Sequence, residues 1–287
     1  MNYVLISIGS IPNFIKYTIN TILSVDKNAN LYLVSDQKFN LNNVKTINLS
    51  NVESEQTCKV RELNIYKNNA IENERILLNS LLRIFYLKDI QEDLGLEEIV
   101  HFDIDTLIYK PFSKINKCFD KSKFNITSSS NTRLTFGYSY IPNLEVNKKV
   151  CDTLEDLIRN GHKLNWAFNN YTPPNIMDLL GLAYQNNKNL FNLLPNLPYE
   201  SEFVFDPSSY GQFIDGSENY PKKFYSRRSI NFNDSVGVEL YSNRINAKFK
   251  DSKPVIDWEN KKYDLINLRV QSKRFDKFLP KEYRVFK

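Results

Sequence analysis

Three short runs, Tyr3 to Ile8, Leu31 to Asp36 and Val44 to Leu49, are spaced with a helical pattern between the first two, and that order leaves few folds open. The first run is apolar almost throughout, as expected of a strand covered on both faces. Phe14, Ile15, Ile19, Ile22 and Leu23 then recur at helical spacing, with Ser10 placed to cap the helix and Pro12 in its first turn. Strand, helix, strand at this spacing predicts a parallel sheet with right-handed crossovers. A second helix is expected from about Ile71 to Ile90, with Arg83 close to its apolar stripe of Ile76, Leu77, Leu81, Ile84, Phe85 and Leu87. A cation in that position either snorkels or meets something negative.

The segment after that helix carries the chemistry. Ile99-Val100-His101-Phe102-Asp103-Ile104-Asp105-Thr106-Leu107-Ile108 is an apolar run interrupted by two carboxylates at i and i+2. If Ile99 to Ile104 is a strand, Asp103 and Asp105 share one face and Ile104 anchors the other. Open α/β sheets bind ligands at the carboxyl ends of such strands, and paired carboxylates suit Mg²⁺ or Mn²⁺ shared with a substrate phosphate. The alternative is a turn in which one Asp caps the next element.

Composition sets outer limits. With 287 residues, 41% hydrophobic and 25% charged, the chain is long enough for one large α/β domain with an ordinary soluble balance. Its 38 Lys and Arg against 33 Asp and Glu are scattered except near the C-terminus, which gives little support to nucleic-acid binding. Cys58, Cys118 and Cys151 are an odd number without metal-ligand spacing, so free thiols in a reducing compartment are expected. The first residues lack a basic region followed by a long apolar run, and nowhere do 18 apolar residues stand together; a cytoplasmic location is expected.

Further along, Phe124 to Ser129 and Leu134 to Ile141 read as strands, and Glu145 to Arg159 as a helix stopped by Gly161, with His162 just beyond. Trp166 to Pro174 is aromatic, polar and Pro-broken, a loop able to stack on a sugar ring, leading into a helix from about Asn175. A short strand is expected to end at Asp206, which would cap a helical turn starting with Pro207. Gly211, Gln212 and Asp215 follow on that turn. Val236 to Tyr241, Ile245 to Phe249, Val255 to Trp258 and Asp264 to Leu268 are strand candidates, and the tail after them is basic through Lys273, Arg274 and Lys277.

Taken together, the strands, the helix bearing Leu82 to Leu87 with Arg83, and Val100 to Pro111 with its Asp103-Ile104-Asp105 resemble the nucleotide-sugar half of GT-A-fold glycosyltransferases, of the glycogenin-like and bacterial galactosyltransferase-like kind. Phe205 to Gly216 and Ile266 to Lys273 are similar to segments of an uncharacterised glycosyltransferase-like group that usually reads Asn-Leu-His-x-His-Ser-Lys near its C-terminus. Here Arg269 and Gln271 stand in place of both histidines. The resemblance implies an α/β, Rossmann-like mixed sheet flanked by helices with a β-rich C-terminal extension on the acceptor side. It further implies one domain over 1–287, residues 1–115 forming the donor half and 116–287 the acceptor half. Donor contacts would be Ile8, Asp36, Arg83, Asp103, Ile104, Asp105, Gln212 and Lys273. Mn²⁺ or Mg²⁺ would sit on Asp103 and Asp105, with Gln271 or water in the third position.

The implied activity is transfer of a sugar from a UDP- or GDP-linked donor to a glycan, lipid-linked or protein-linked acceptor hydroxyl, in polysaccharide, lipopolysaccharide or glycoprotein assembly. An inverting enzyme would need an acceptor-side carboxylate, for which Asp206, Asp215 and Glu202 are candidates. A non-catalytic nucleotide-sugar or glycan binding module of the same fold is the alternative. A phosphatase of the haloacid dehalogenase type is remote, because Thr106 follows Asp105 one residue too early for its Asp-x-Asp-x-Thr motif. The basic tail is expected to touch an anionic membrane surface, at the inner face, if the acceptor is lipid-linked.

Overall fold

Strand β1 (Asn2–Ser7) has Val4 and Ile6 in one apolar core and Tyr3 and Leu5 in another, the two-residue alternation of a strand buried on both faces. The structure is a computed structural model that describes residues 1–67, 74–130, 132–160, 174–216 and 234–286. After β1 come α1 (Ile15–Val25), β2 (Asn30–Ser35), β3 (Val44–Asn48), α2 (Leu49–Val52), α3 (Glu55–Leu63) and α4 (Glu74–Asp93). The helix α1 begins five residues after Ser10, with Phe14 at its N-cap and no side-chain cap, so Ser10 does not play the expected capping role.

Next are β4 (Ile99–His101), β5 (Thr106–Ile108), α5 (Phe112–Ile115), β6 (Phe124–Ser130), β7 (Arg133–Ile141), α6 (Leu144–Asn160), α7 (Ile176–Asn186) and β8 (Phe191–Leu193). Asn175 caps α7 by accepting from the N–H groups of Met177 and Asp178, 3.0 and 3.2 Å away. Seven strands form one mixed sheet in the order β3-β2-β1-β4-β7-β6-β8. Strand β1 pairs in parallel with both β2 and β4, whereas β7 runs antiparallel to β4. The chain leaves β1 toward β2 on one side and reaches β4 on the other, so the strand order reverses between β1 and β4. In open α/β sheets a crevice for ligands opens at that reversal, outside the carboxyl ends of the strands. Helices α4, α6 and α7 cover one face of the sheet through Leu81, Phe85, Val150, Leu154 and Leu179, and α1 covers the other through Ile15, Ile19 and Ile22.

The C-terminal region contains α8 (Ser209–Asp215), α9 (Ser235–Tyr241), an antiparallel sheet of β9 (Asn246–Lys250), β10 (Lys253–Trp258) and β11 (Lys261–Asp264), and β12 (Asn267–Arg269). Val236 to Tyr241 is therefore helical, not the expected strand. Asp234 accepts from Gly237 N–H at 3.0 Å and starts the helix, which places Val236 and Leu240 on one buried face. A single expected strand at Asp264 to Leu268 is split, with β12 leaving to pair antiparallel with β5. Among the described residues no helix is long and apolar enough to cross a membrane.

One glycine governs how closely α8 meets β12. A Cβ on Gly211 would lie 1.9 Å from the carbonyl oxygen of Arg269, inside any tolerable contact. Gly211→Ala should push β12 away from α8 and lower the stability of the fold by about 2 kcal/mol or more, read by urea denaturation.

Candidate functional site

The acid pair sits on a turn, not on a continuing strand. β4 ends at His101; Asp103 N–H donates to Phe136 O and Thr106 N–H donates to Asp103 O, each at 3.0 Å. The two carboxylates converge because this tight turn folds both toward the same side, and Thr18 Oγ1 fixes it by donating to Ile104 O at 2.7 Å. His101 lies beneath, fully buried; its Nδ1 donates to Val4 O at 2.8 Å, and burial together with the Arg83 charge pushes its imidazole down to about 4. That ring is neutral and packs edge-on against Phe136.

Beyond the turn, β5 pairs with β12, which sets Arg269 opposite Thr106, and Val270 N–H donates to Asp105 O at 2.8 Å. Arg269 then bridges both acids: its NH1 lies 3.0 Å from Asp103 Oδ2 and its Nε 3.0 Å from Asp105 Oδ1. Arg83 reaches in from α4 to the other oxygen of Asp103, and Lys273 Nζ lies 2.5 Å from the other oxygen of Asp105. All four carboxylate oxygens thus carry a cationic partner. Burial alone would raise the Asp103 carboxyl, but the Arg269 and Arg83 charges outweigh it and hold it below its ordinary range. Burial likewise disfavours the Arg269 guanidinium, and the two acids more than compensate.

Each cation is held from behind. The Arg83 guanidinium lies over the Phe136 ring, 5.6 Å from its centroid. Lys273 adopts a left-handed backbone at φ 60°, uncommon outside glycine, and its ammonium lies 4.8 Å from the Phe14 ring centroid. Phe275 stacks on Phe14 and Tyr17 at 5.2 and 5.3 Å, which fastens the Lys273 segment to α1. Arg269 is fixed through its own backbone, because Asp206 Oδ2 accepts its N–H at 3.0 Å.

A cavity of about 320 Å³ opens on this cluster between the ends of β1 and β4. Ile8, Ser10 and Phe14 line it from the β1–α1 connection, Ile76, Asn79, Ser80 and Arg83 from α4, and Asp103, Ile104, Asp105 and Arg269 complete it. Of the expected donor contacts, Ile8, Arg83, Asp103, Ile104 and Asp105 line this space, and Lys273 joins through Asp105. Asp36 is at the end of β2, where it accepts from Gly9 N–H at 2.9 Å. Gln212 donates to Gln271 at 2.8 Å, and Gln271 in turn donates to Ser208 Oγ at 2.7 Å.

The three carboxylates considered for an acceptor-side base are engaged elsewhere. Asp206 is fully buried and accepts backbone N–H bonds from Ser208, Tyr210, Gly211 and Arg269, so it caps α8 and anchors β12. Asp215 binds Arg274 and Ser272. Glu202 pairs with Lys117 on the wall of a separate cavity of about 690 Å³ that shares no lining residue with the first. Two of the three tail cations expected at a membrane, Lys273 and Arg274, are thereby paired within the protein. Gly161, His162, Trp166 to Pro173 and Arg227-Arg228 lie outside the described residues.

The residues present do not fit a divalent metal. A metal needs several carboxylate or imidazole atoms free to converge at about 2.0–2.6 Å. Here the acids are occupied by Arg83, Arg269 and Lys273, and Gln271 is bonded to Ser208 and Gln212. Among the described residues no three His, Cys, Asp or Glu side chains are grouped to hold an ion. Arg269 is the residue whose role sequence reasoning missed. Its presence where a histidine would stand was visible, but its bridge between the acids depends on the β5–β12 pairing.

The site and sheet define an open α/β protein with a charged crevice at the point of strand reversal. No family model matches the chain, and no curated protein matches it. Among solved structures it is similar to the PaToxG glycosyltransferase, at 18% identity and TM-score 0.43 over 65% of this chain and 69% of that one. It is also similar to mouse xyloside xylosyltransferase 1, at 11% identity and TM-score 0.45 over 68% and 86% of the two chains. An active-site mutant of LgtC covers more, 85% of this chain and 96% of that one, at 12% identity and TM-score 0.44.

Because Asp103 is held below its unfolded value of 3.8, its ion pairs stabilise the fold fully above about pH 4, and that stability is lost as pH falls through the lowered native value. Wild-type thermal stability should fall below pH 4 more steeply than that of Asp103→Asn, measured by calorimetry from about pH 2 to pH 7. Asp206→Ala leaves four N–H groups, two of them buried, without their acceptor and should destabilise by about 3 kcal/mol or more in equilibrium unfolding.

Proposed function

We propose that the chain is a glycosyltransferase that takes its sugar from a nucleotide-diphosphate donor and passes it to an acceptor hydroxyl. The observation that carries this reading is the meeting of Arg83, Arg269 and Lys273 with Asp103 and Asp105 beside a cavity at the carboxyl edge of the sheet. Three cations against two acids leave an excess of one positive charge facing a space with apolar walls at Ile8, Phe14 and Ile76 and polar groups at Ser10, Asn79 and Ser80. Apolar walls with a few convergent polar groups suit a nucleoside, and the cationic end suits its diphosphate. The resemblance of Asp103-Ile104-Asp105 and Arg83 to the donor half of GT-A glycosyltransferases supports the same assignment.

In sugar transfer the bond from the anomeric carbon to the diphosphate oxygen breaks, and negative charge grows on the departing diphosphate. Fixed cations aimed at that oxygen lower the barrier most when they need no reorganisation. Arg83 and Arg269 are held in place before any ligand arrives, Arg83 against Phe136 and Arg269 by Asp206 and the β5 ladder. Each can exchange a carboxylate oxygen for a phosphate oxygen without leaving the site.

The occupied state of both acids favours one second reading, a module that binds the donor without turning it over. A panel of UDP- and GDP-linked sugars, assayed for binding, donor hydrolysis and transfer, separates the two. We expect at least one donor to be hydrolysed, and Arg83→Ala to lower its kcat/KM about a hundredfold, the ~3 kcal/mol of one charged hydrogen-bonding partner. Binding without hydrolysis or transfer from any donor would establish the module instead.

A further inference from the structure

We infer that Arg269, with Lys273, takes the place a divalent cation would hold between Asp103 and Asp105, so that this chain binds a nucleoside diphosphate without any metal. The inference rests on the reading of the crevice as a nucleotide-sugar site. Its geometric basis is the planar fork of Arg269, which spans one oxygen of each acid at 3.0 Å, with Arg83 and Lys273 on the remaining two oxygens. A metal entering between the acids would have to displace a guanidinium anchored through its own strand, and would then sit as a dication among three positive side chains. The acids act here as struts: they hold the cations in a fixed array, and the cations meet the phosphate.

Charge-assisted contacts of this kind are screened by salt, whereas a metal-bridged diphosphate responds first to chelation. The experiment uses UDP and GDP as probes in calorimetric titrations, in EDTA and again with Mn²⁺ or Mg²⁺, on the wild type, Arg269→Ala and Lys273→Ala. Binding of Mn²⁺ alone is followed by its electron paramagnetic resonance signal. Expected for the wild type is one nucleotide bound within about twofold of the same Kd in EDTA and in Mn²⁺, weakening as salt rises, with no uptake of Mn²⁺ by the free protein. Arg269→Ala should bind about tenfold more weakly or worse in EDTA, and should recover part of that loss with Mn²⁺ because one oxygen of each acid is freed. Lys273→Ala, which lies outside the β12 ladder, should weaken binding in EDTA while still unfolding in one cooperative transition, which controls for misfolding of the first variant. Nucleotide binding by the wild type only when Mn²⁺ or Mg²⁺ is present overturns the inference and leaves the nucleotide site standing. Absence of binding by either nucleotide in every condition overturns both.

Discussion

Two carboxylates buried side by side would repel each other and lose their hydration, a cost of several kcal/mol per ion if nothing balanced them. The guanidinium of Arg269, placed across both, makes the turn at Asp103 to Thr106 tolerable in the interior. Much of the C-terminal architecture serves that placement. β12 pairs with β5, Gly211 leaves room for the Arg269 carbonyl, and Asn267 donates to Gly137 O and Asp206 O at 3.0 and 3.1 Å to lock β12 onto the main sheet. Asp206, buried against the same strand, commits its oxygens to backbone N–H groups of α8 and β12, and is a structural joint of the site.

This arrangement also orders the roles of the charged residues. Arg83 comes from a helix packed in the main core, so its position depends on Leu81, Leu82 and Phe85 around it. Lys273 depends on aromatic stacking of Phe275 against Phe14 and Tyr17. Arg269 depends on a strand ladder. Three different kinds of packing deliver three cations to one spot, so no single substitution in the scaffold displaces all of them.

The sheet of the first third was legible because its strands are short, apolar runs separated by helical spacing, and the position of Asp103 and Asp105 at a strand end followed from the same pattern. The turn was open in the sequence only as an alternative to a continuing strand, since Phe102 and Ile104 continue the apolar alternation and only the hydrogen bonds of Asp103 and Thr106 decide for it. Val236 to Tyr241 misled for a related reason: its β-branched alternation suits a strand, but the cap at Asp234 and the i, i+4 burial of Val236 and Leu240 prevail. Asp206 was legible as a cap, and its saturation by four N–H groups emerges only when β12 is laid beside it. Arg269 could not be assigned from local sequence, because its partners are brought to it by tertiary pairing.

The Arg269–Asp105 contact joins positions 164 residues apart. Closing so long a loop costs chain entropy before the contact can reward it. During synthesis Asp103 has only Arg83 and Asp105 has neither of its cations until the strand carrying Arg269 has been made and has docked on β5. The crevice is thus completed only when the chain closes: a state in which the main sheet has formed but β12 has not docked would leave Asp103 with Arg83 alone and Asp105 with no cation, and would lack part of the anion-binding surface of the finished fold.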